Sequence, residues 1–451
     1  MSTSTAAGER VWSVAEHLAD VLGAIRPLEP IELQLADAQG CVLVEDVRVP
    51  VALPPFDNSS MDGYAVRTAD VAGASEQSPA VLAVVGDVAA GSGELPTVGS
   101  GQAARIMTGA PLPPGAEAVV PVEWTDGGTG EGPATGMRAA ASAPEGATGH
   151  VRVHRPAEAR AHVRARGSDV RAGELALAAG TVVGPPQIAL LAAIGRATVR
   201  VRPRPRVVVL STGTELVQPG QELAAGQIYD SNSFALAAAA RDAGALAYRV
   251  GAVGDDAATL RATIEDQLVR ADLLVTTGGV SVGAYDVVKE ALATVDGRED
   301  DEPQDDDHGD ARRGVDFRKL AMQPGKPQGF GTIGPDRTPL LALPGNPVSS
   351  YVSFELFVRP VIRTLMGLPE SRVHRSTAVA ELTSERPLTS PSGRRQFLRG
   401  RYDAASGAVS PVGGSGSHLI AALAHANALI VVPEDTASVA PGDQVTVVLL
   451  D

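Results

Sequence analysis

The chain has 451 residues, 44% apolar and 20% charged, which predicts three or four domains because one core rarely serves more than ~250 residues. A formal net charge of −15 and an aromatic content of 3% argue against nucleic acid or an anionic membrane as partner. No apolar run reaches the ~18 residues that span a bilayer. Cys41, the single cysteine, is read as a small core residue, and the polar opening lacks a signal-peptide layout, so a cytoplasmic protein is expected.

Ser13 and Glu16 have capping-box spacing, and Leu18, Val21, Leu22 and Ile25 predict a first helix over 14–25. Strand-like runs follow at 31–35 and 42–49. From 53 to 153 short β segments, among them 81–85 and 119–122, alternate with Gly and Pro turns. Residues 125–149, rich in Gly, Ala and Thr, predict a mobile loop. The character then changes. Strands at 206–210, 247–253, 272–276, 316–322 and 340–343 alternate with helices at 233–243, 257–270, 287–293 and 348–365. That alternation predicts a parallel sheet with helices on both faces. Within it lies an acidic run, 298–313, read as a solvated loop, with a metal-binding cluster as the alternative. Beyond Pro369, strands at 373–382, 396–402, 428–432 and 444–449, with a short helix at 419–424, predict a small closed β domain.

Ligands of a parallel α/β sheet sit beyond the carboxyl ends of strands, where loops enter helices. Three such loops are chemically rich. Thr212 and Gly213 suit a phosphate, and Glu215 is either a cation ligand or a surface acid. Gly278 and Gly279 let backbone approach a phosphate closely, with Ser281 nearby. Asp286 either caps the following helix or binds Mg²⁺ beside the phosphate. Pro344, Asn346, Pro347 and Ser349 form a helix start that needs no function by itself. Lys319 and Lys326 are candidates for oxyanion binding, or ordinary surface lysines. Residues 279–283 match the G-x-S-x-G elbow of serine hydrolases. The doubled glycine before it and the lack of a well-placed acid and histidine argue against that chemistry.

The ordered series NSSMDGYA at 58–65, RIMTGAPLP at 105–113, STGTEL at 211–216, IYDSN at 228–232, TGGVSVG at 277–283, PGKP at 324–327 and LPGNPVS at 343–349 is highly specific. It resembles molybdopterin molybdenumtransferases, a family that includes part of gephyrin, over nearly the whole chain. The resemblance implies an α/β plus β multi-domain fold. Residues 1–52 and 160–203 would form an elongated split domain, and 53–159 an inserted β-rich domain. Residues 204–371 would form the α/β molybdopterin-binding domain, and 372–451 a C-terminal β-barrel. It implies a homodimer whose cleft joins the α/β domain of one subunit to the inserted domain of the other. The implied reaction joins molybdate to adenylated molybdopterin with Mg²⁺ and releases AMP. Molybdopterin adenylyltransferase and molybdoenzymes would be transient partners.

On this resemblance Asp62, Thr108, Asp169, Glu215, Asp255, Asp286 and Lys319 match functional residues, with Asp286 and Glu215 assigned to the metal. Gln323 departs, because many members carry lysine there. The competing class is a scaffold that keeps the fold for interaction. The acids and Lys319 stand at their motif positions, which favours an enzyme.

Overall fold

The structure is a computed structural model that describes residues 10–130, 132–136, 149–254, 256–279, 288, 291–292 and 314–450. The chain divides into two compact units. One holds the residues up to Leu33, Gly40–Val44 and those from Arg200 onward; the other holds Gln34–Gln39 and Glu45–Val199.

In the first unit, strands β1 (Val11–Trp12), β2 (Arg206–Thr212), β3 (Leu246–Val253), β4 (Leu273–Thr277), β5 (Gly314–Leu320), β6 (Pro327–Ile333) and β7 (Thr338–Leu343) form one sheet in the order β1-β5-β6-β7-β4-β2-β3. The expected parallel set is present as β7-β4-β2-β3, and β1 runs parallel to β5. β6 is the addition: it pairs antiparallel with both β5 and β7. Its glycines explain why it reads as a loop. A Cβ on Gly331 would stand 1.9 Å from the Gly314 carbonyl oxygen, and one on Gly329 2.9 Å from Ala342 Cβ. Crowding demands the residues that hide the strand.

Helices α1 (Val14–Ala24), α2 (Asn232–Asp242), α3 (Ala257–Leu268) and α4 (Pro347–Ser353) accompany this sheet, and helical backbone continues from α4 to Leu365. Leu260 and Ile264 of α3 pack on Val208, Leu210, Leu274 and Leu340, in a core that also takes Val288, Ala291 and Leu292. The capping box on α1 is complete, with Glu16 N–H donating to Ser13 Oγ at 3.1 Å and Ser13 N–H to Glu16 Oε2 at 2.8 Å. Such a cap contributes about 1 kcal/mol.

His17, buried on α1, lies 3.3 Å from Arg318 Nη1 and edge-on to Phe357. Burial, then the Arg318 charge, pushes its pKa down to about 4 from 6.5. The folded state therefore holds His17 neutral where the unfolded chain takes up a proton. This contribution to stability is complete above about pH 6.5 and is lost as pH falls toward about 4. We expect His17→Asn to lose less melting temperature between pH 7 and pH 5, roughly one unfolded-histidine titration range, than the parent chain. Equal losses in thermal melts would assign the acid limb to other groups.

The C-terminal barrel closes through β8 (Thr377–Leu382), β9 (Arg395–Asp403), β10 (Ala408–Pro411), β11 (Ala428–Val432) and β12 (Gln444–Leu449). β9 pairs with β10 and β11, β10 with β8, β8 with β12, and β12 with β11. Leu382, Leu398, Val409, Ile430 and Val447 fill it. The expected 316–322 strand ends at Leu320; Met322–Gln323 turn away to pair with Arg395–Gln396 at the barrel.

The second unit carries a five-stranded sheet in the order His150–Val153, Ala80–Val88, Gln102–Ile106, Gly63–Val66, Ala118–Pro121. Alternation puts Tyr64 and Val66 on one face and Ala65 on the other, so both faces carry a core. Of the expected 125–149 loop, residues 131 and 137–148 lie outside the described residues, and its start is a built turn. Buried Asp126 accepts from the N–H groups of Gly128 (2.9 Å), Gly130 (3.1 Å) and Arg152 (2.9 Å). The expected 42–49 strand is two short ones, Val42–Leu43 and Val47–Arg48. Asp255, Ser281, Asp286, the 298–313 run and most of the 287–293 helix lie outside the described residues. Among the described residues, no helix is long and apolar enough to cross a membrane.

Candidate active site

The loops leaving β2, β4 and β7 form one wall of a cleft of about 1350 Å³. Thr212, Gly213, Gly278, Gly279, Pro344, Asn346, Pro347 and Ser349 all line it, with Glu215 at the exposed rim. The glycines are conformational necessities. Gly278 has φ +96°, and a Cβ there would stand 2.5 Å from the Thr212 carbonyl oxygen. Gly279 has φ +65°, with Val288 Cγ2 at 2.5 Å from its Cβ position. A side chain is excluded at both, so a ligand meets backbone.

Residues not singled out by sequence hold this wall together. The Thr277 hydroxyl donates to Pro344 O at 3.0 Å, accepts from Asn232 Nδ2 at 3.1 Å and lies 3.0 Å from Ser350 Oγ. Asn232 Nδ2 also donates to Gly345 O at 2.7 Å. Asp230, 1% exposed, accepts from Ser211 Oγ at 2.8 Å and from Ser233 N–H at 3.1 Å, tying β2 to the start of α2. Thr212 Oγ1 is different: it is buried with no hydrogen-bond partner among the described residues. An orphaned hydroxyl costs roughly 1–3 kcal/mol, so its place in the cleft points to a ligand or cation.

Two fixed cations, Lys326 and Arg394, line the same cleft, in a second group of lining residues. That group comprises Met322–Pro327, with Gln323 and Lys326, and adds Arg394 and residues 415–418 from the barrel. Buried Gln328 secures the turn, its Nε2 donating to Gly325 O at 2.7 Å and to Ser353 Oγ at 2.6 Å. The barrel loop is fixed by Val348 N–H on Ser417 O at 3.0 Å and by Arg399, whose guanidinium donates to the carbonyls of Gly416 and Gly414. Burial pushes the Arg399 pKa below its ordinary value. Lys319 is not among the residues that line the cleft. Arg394 and the 415–418 loop carried no sequence signal, because a Gly/Ser-rich loop and an arginine before a strand are commonplace.

In the other unit, Thr108 N–H donates to Asp62 Oδ1 at 2.7 Å, so two candidates distant in sequence meet. Asp57 braces the same loops, accepting from Arg160 Nη1 at 2.6 Å and Arg166 N–H at 2.7 Å. Those bonds, Arg160's first, hold its carboxyl below the usual carboxylate range. Asp169 is exposed, and its N–H donates to Leu53 O at 3.0 Å.

Glycine loops at strand ends and two cations lining the same cleft are the features of a site for an anionic, phosphate-bearing ligand. Comparison with known proteins then gives the family. Residues 12–195 match the profile described as "MoeA N-terminal region (domain I and II)", 208–364 that of a "Probable molybdopterin binding domain", and 381–450 the "MoeA C-terminal region (domain IV)". Molybdopterin molybdenumtransferase 2 of Mycobacterium tuberculosis is 46% identical over 96% of this chain and 98% of its own. The corresponding protein of Bacillus subtilis is 34% identical over 92% of this chain and 89% of its own. A crystal structure of a molybdopterin biosynthesis MoeA protein from Pyrococcus horikoshii is 32% identical with TM-score 0.71, covering 98% of this chain and all (100%) of that one. The chain belongs to the MoeA family of molybdopterin molybdenumtransferases, transferases of molybdenum cofactor biosynthesis.

Proposed function

We propose that the cleft takes adenylated molybdopterin and molybdate, and that molybdenum insertion releases AMP with Mg²⁺ as cofactor. The observation that carries this reading is that the glycine loops, Lys326 and Arg394 all line one cleft. Molybdate and a pyrophosphate repel each other, so holding both requires fixed positive charge and backbone dipoles. The Gly278–Gly279 backbone receives the phosphates, Lys326 and Arg394 hold the oxyanion, and Gln323 adds a hydrogen bond without charge.

The donor set fits Mg²⁺. Among the described residues no three His, Cys, Asp or Glu side chains converge, but Mg²⁺ in phosphate sites needs only one or two carboxylates. Glu215 would hold it with the Thr212 hydroxyl and Asp286, and the ion would supply charge stabilisation at the phosphates. The four-domain division, a cytoplasmic location, and transient contacts with molybdopterin adenylyltransferase and molybdoenzymes complete the proposal.

Purified protein given adenylated molybdopterin, molybdate and Mg²⁺ should release AMP only when molybdate is present. Chelation should lower the rate tenfold or more, and added Mg²⁺ should restore it, about 1.4 kcal/mol per factor of ten. AMP release indifferent to molybdate sinks the reading.

In the proposed homodimer Asp62 and Thr108 complete the cleft from the partner subunit. Asp62→Ala and Asp286→Ala chains should each fold and fail to turn over. Mixing and reannealing the two should recover activity, since some dimers then keep one intact cleft. Mixtures as inactive as their parents would place both acids in a cleft made by one chain.

A further inference from the structure

We infer that an apolar chamber opening beside the cleft is the subsite for the adenine ring, an assignment that rests on the substrate reading above. The chamber measures about 450 Å³, within the usual ~300–1,000 Å³ of ligand pockets. Ala235 of α2, Pro347 and Tyr351 of α4, and Ile420 and Leu423 of the barrel's short helix (Ile420–Ala424) supply its apolar lining. Asn232 and Pro347 line both the chamber and the cleft, so the two are contiguous. Asn232 is also bonded to Thr277 and Gly345, which places the junction directly behind the Gly278 loop.

The chemistry of the lining selects the base. No lining residue is an acid or a cation, and the Tyr351 hydroxyl stays protonated because burial and the Glu355 charge push its pKa up to about 12. A phosphate would find no partner there. The polar side chains are also committed: Asn427 accepts from Tyr402 N–H at 2.7 Å and donates to Tyr402 O at 2.9 Å. Molybdenum must bond the sulfurs at the pterin end, so that end belongs beside Lys326 and Arg394. The adenine, at the other end of the pyrophosphate, is left for the chamber. Its flat, uncharged faces suit Pro347, Tyr351 and Leu423.

Photolabelling of the full chain with 8-azido-AMP, with and without competing AMP, tests the assignment. Labels suppressed by AMP should map to residues 347–351 or 420–427. Suppressible labels at the other apolar rim of the cleft, Leu216, Ile228 and Tyr229, would overturn it, as would the absence of suppressible labelling. In a second arm, Ile420→Asp puts a charge at a position already 42% exposed, where folding tolerates it. AMP should then bind tenfold or more weakly, while inorganic pyrophosphate binds within twofold of the parent, a gap of about 1.4 kcal/mol. Unchanged AMP affinity overturns the subsite. The two readings fail separately: AMP released by a chain labelled only at the other rim removes the chamber, whereas a labelled chamber without molybdate-dependent AMP release removes the substrate reading.

Discussion

Replacing Lys326 by alanine is expected to raise the molybdate concentration for half-maximal rate tenfold or more, about 1.4 kcal/mol or above. A charge a few ångströms from an oxyanion gains roughly 4 kcal/mol at an effective dielectric of 20, part of it offset by lost hydration. Lys326 lines the cleft on a turn whose backbone Gln328 holds through Gly325 O. Gln323 lines the same cleft but brings no charge, and Gln323→Ala should cost less than Lys326→Ala, with Gln323→Lys tolerated. From sequence, Lys319 is the expected oxyanion ligand, with Lys326 supplying the charge that Gln323 lacks. The chain leaves β5 after Leu320; Lys319 stays on β5, paired in register with cleft-lining Pro327, but is not itself among the residues that line the cleft. Lys319→Ala is accordingly expected to change molybdate dependence less than Lys326→Ala. Steady-state kinetics against molybdate decides; the reverse order would return the oxyanion to Lys319.

The largest loss of stability is expected from Glu355→Ala, on the order of 3–5 kcal/mol. Glu355 is 3% exposed and accepts from Arg359 Nε at 2.6 Å and Arg375 Nε at 2.9 Å. Both arginines also reach Asp242 at the end of α2. Glu355 sits in a π-helical turn, Phe354–Val358, and Arg375 immediately precedes the barrel. Removing the carboxylate leaves buried Arg359 and its neighbour Arg375 with only the exposed Asp242 as counter-charge among the described residues. The crowding of guanidinium groups is felt at Arg363, whose pKa burial and then Arg359, Arg372 and Arg375 push down. Urea midpoints should show the loss, and Glu355→Leu with Arg359→Met together should lose less than Glu355→Ala alone. Equal losses would mean that the cavity, not the stranded charge, sets the penalty.

Local rules were enough for most of the framework. The capping box at Ser13, strands at 428–432 and 444–449, and the helix at 257 follow from periodicity and caps, which act over a few residues. β6 and β10 did not show. Gly329 and Gly331 serve contacts with residues elsewhere in the chain, and Ala408–Pro411 is a four-residue strand next to a turn. The glycine wall of the cleft was legible because phosphate-binding backbone needs glycines at strand ends. The pair of cations was only half legible. Lys326 lies in a motif, whereas Arg394 arrives from the barrel, and nothing within its own segment marks that destination.

The central claim is that this chain exchanges the adenylate of its substrate for molybdenum. A single turnover with a known amount of adenylated molybdopterin and excess molybdate tests it most directly. AMP and molybdenum-bearing pterin, measured separately, should appear together and in equal amounts. AMP without molybdenum uptake, the outcome of simple hydrolysis, would contradict the account.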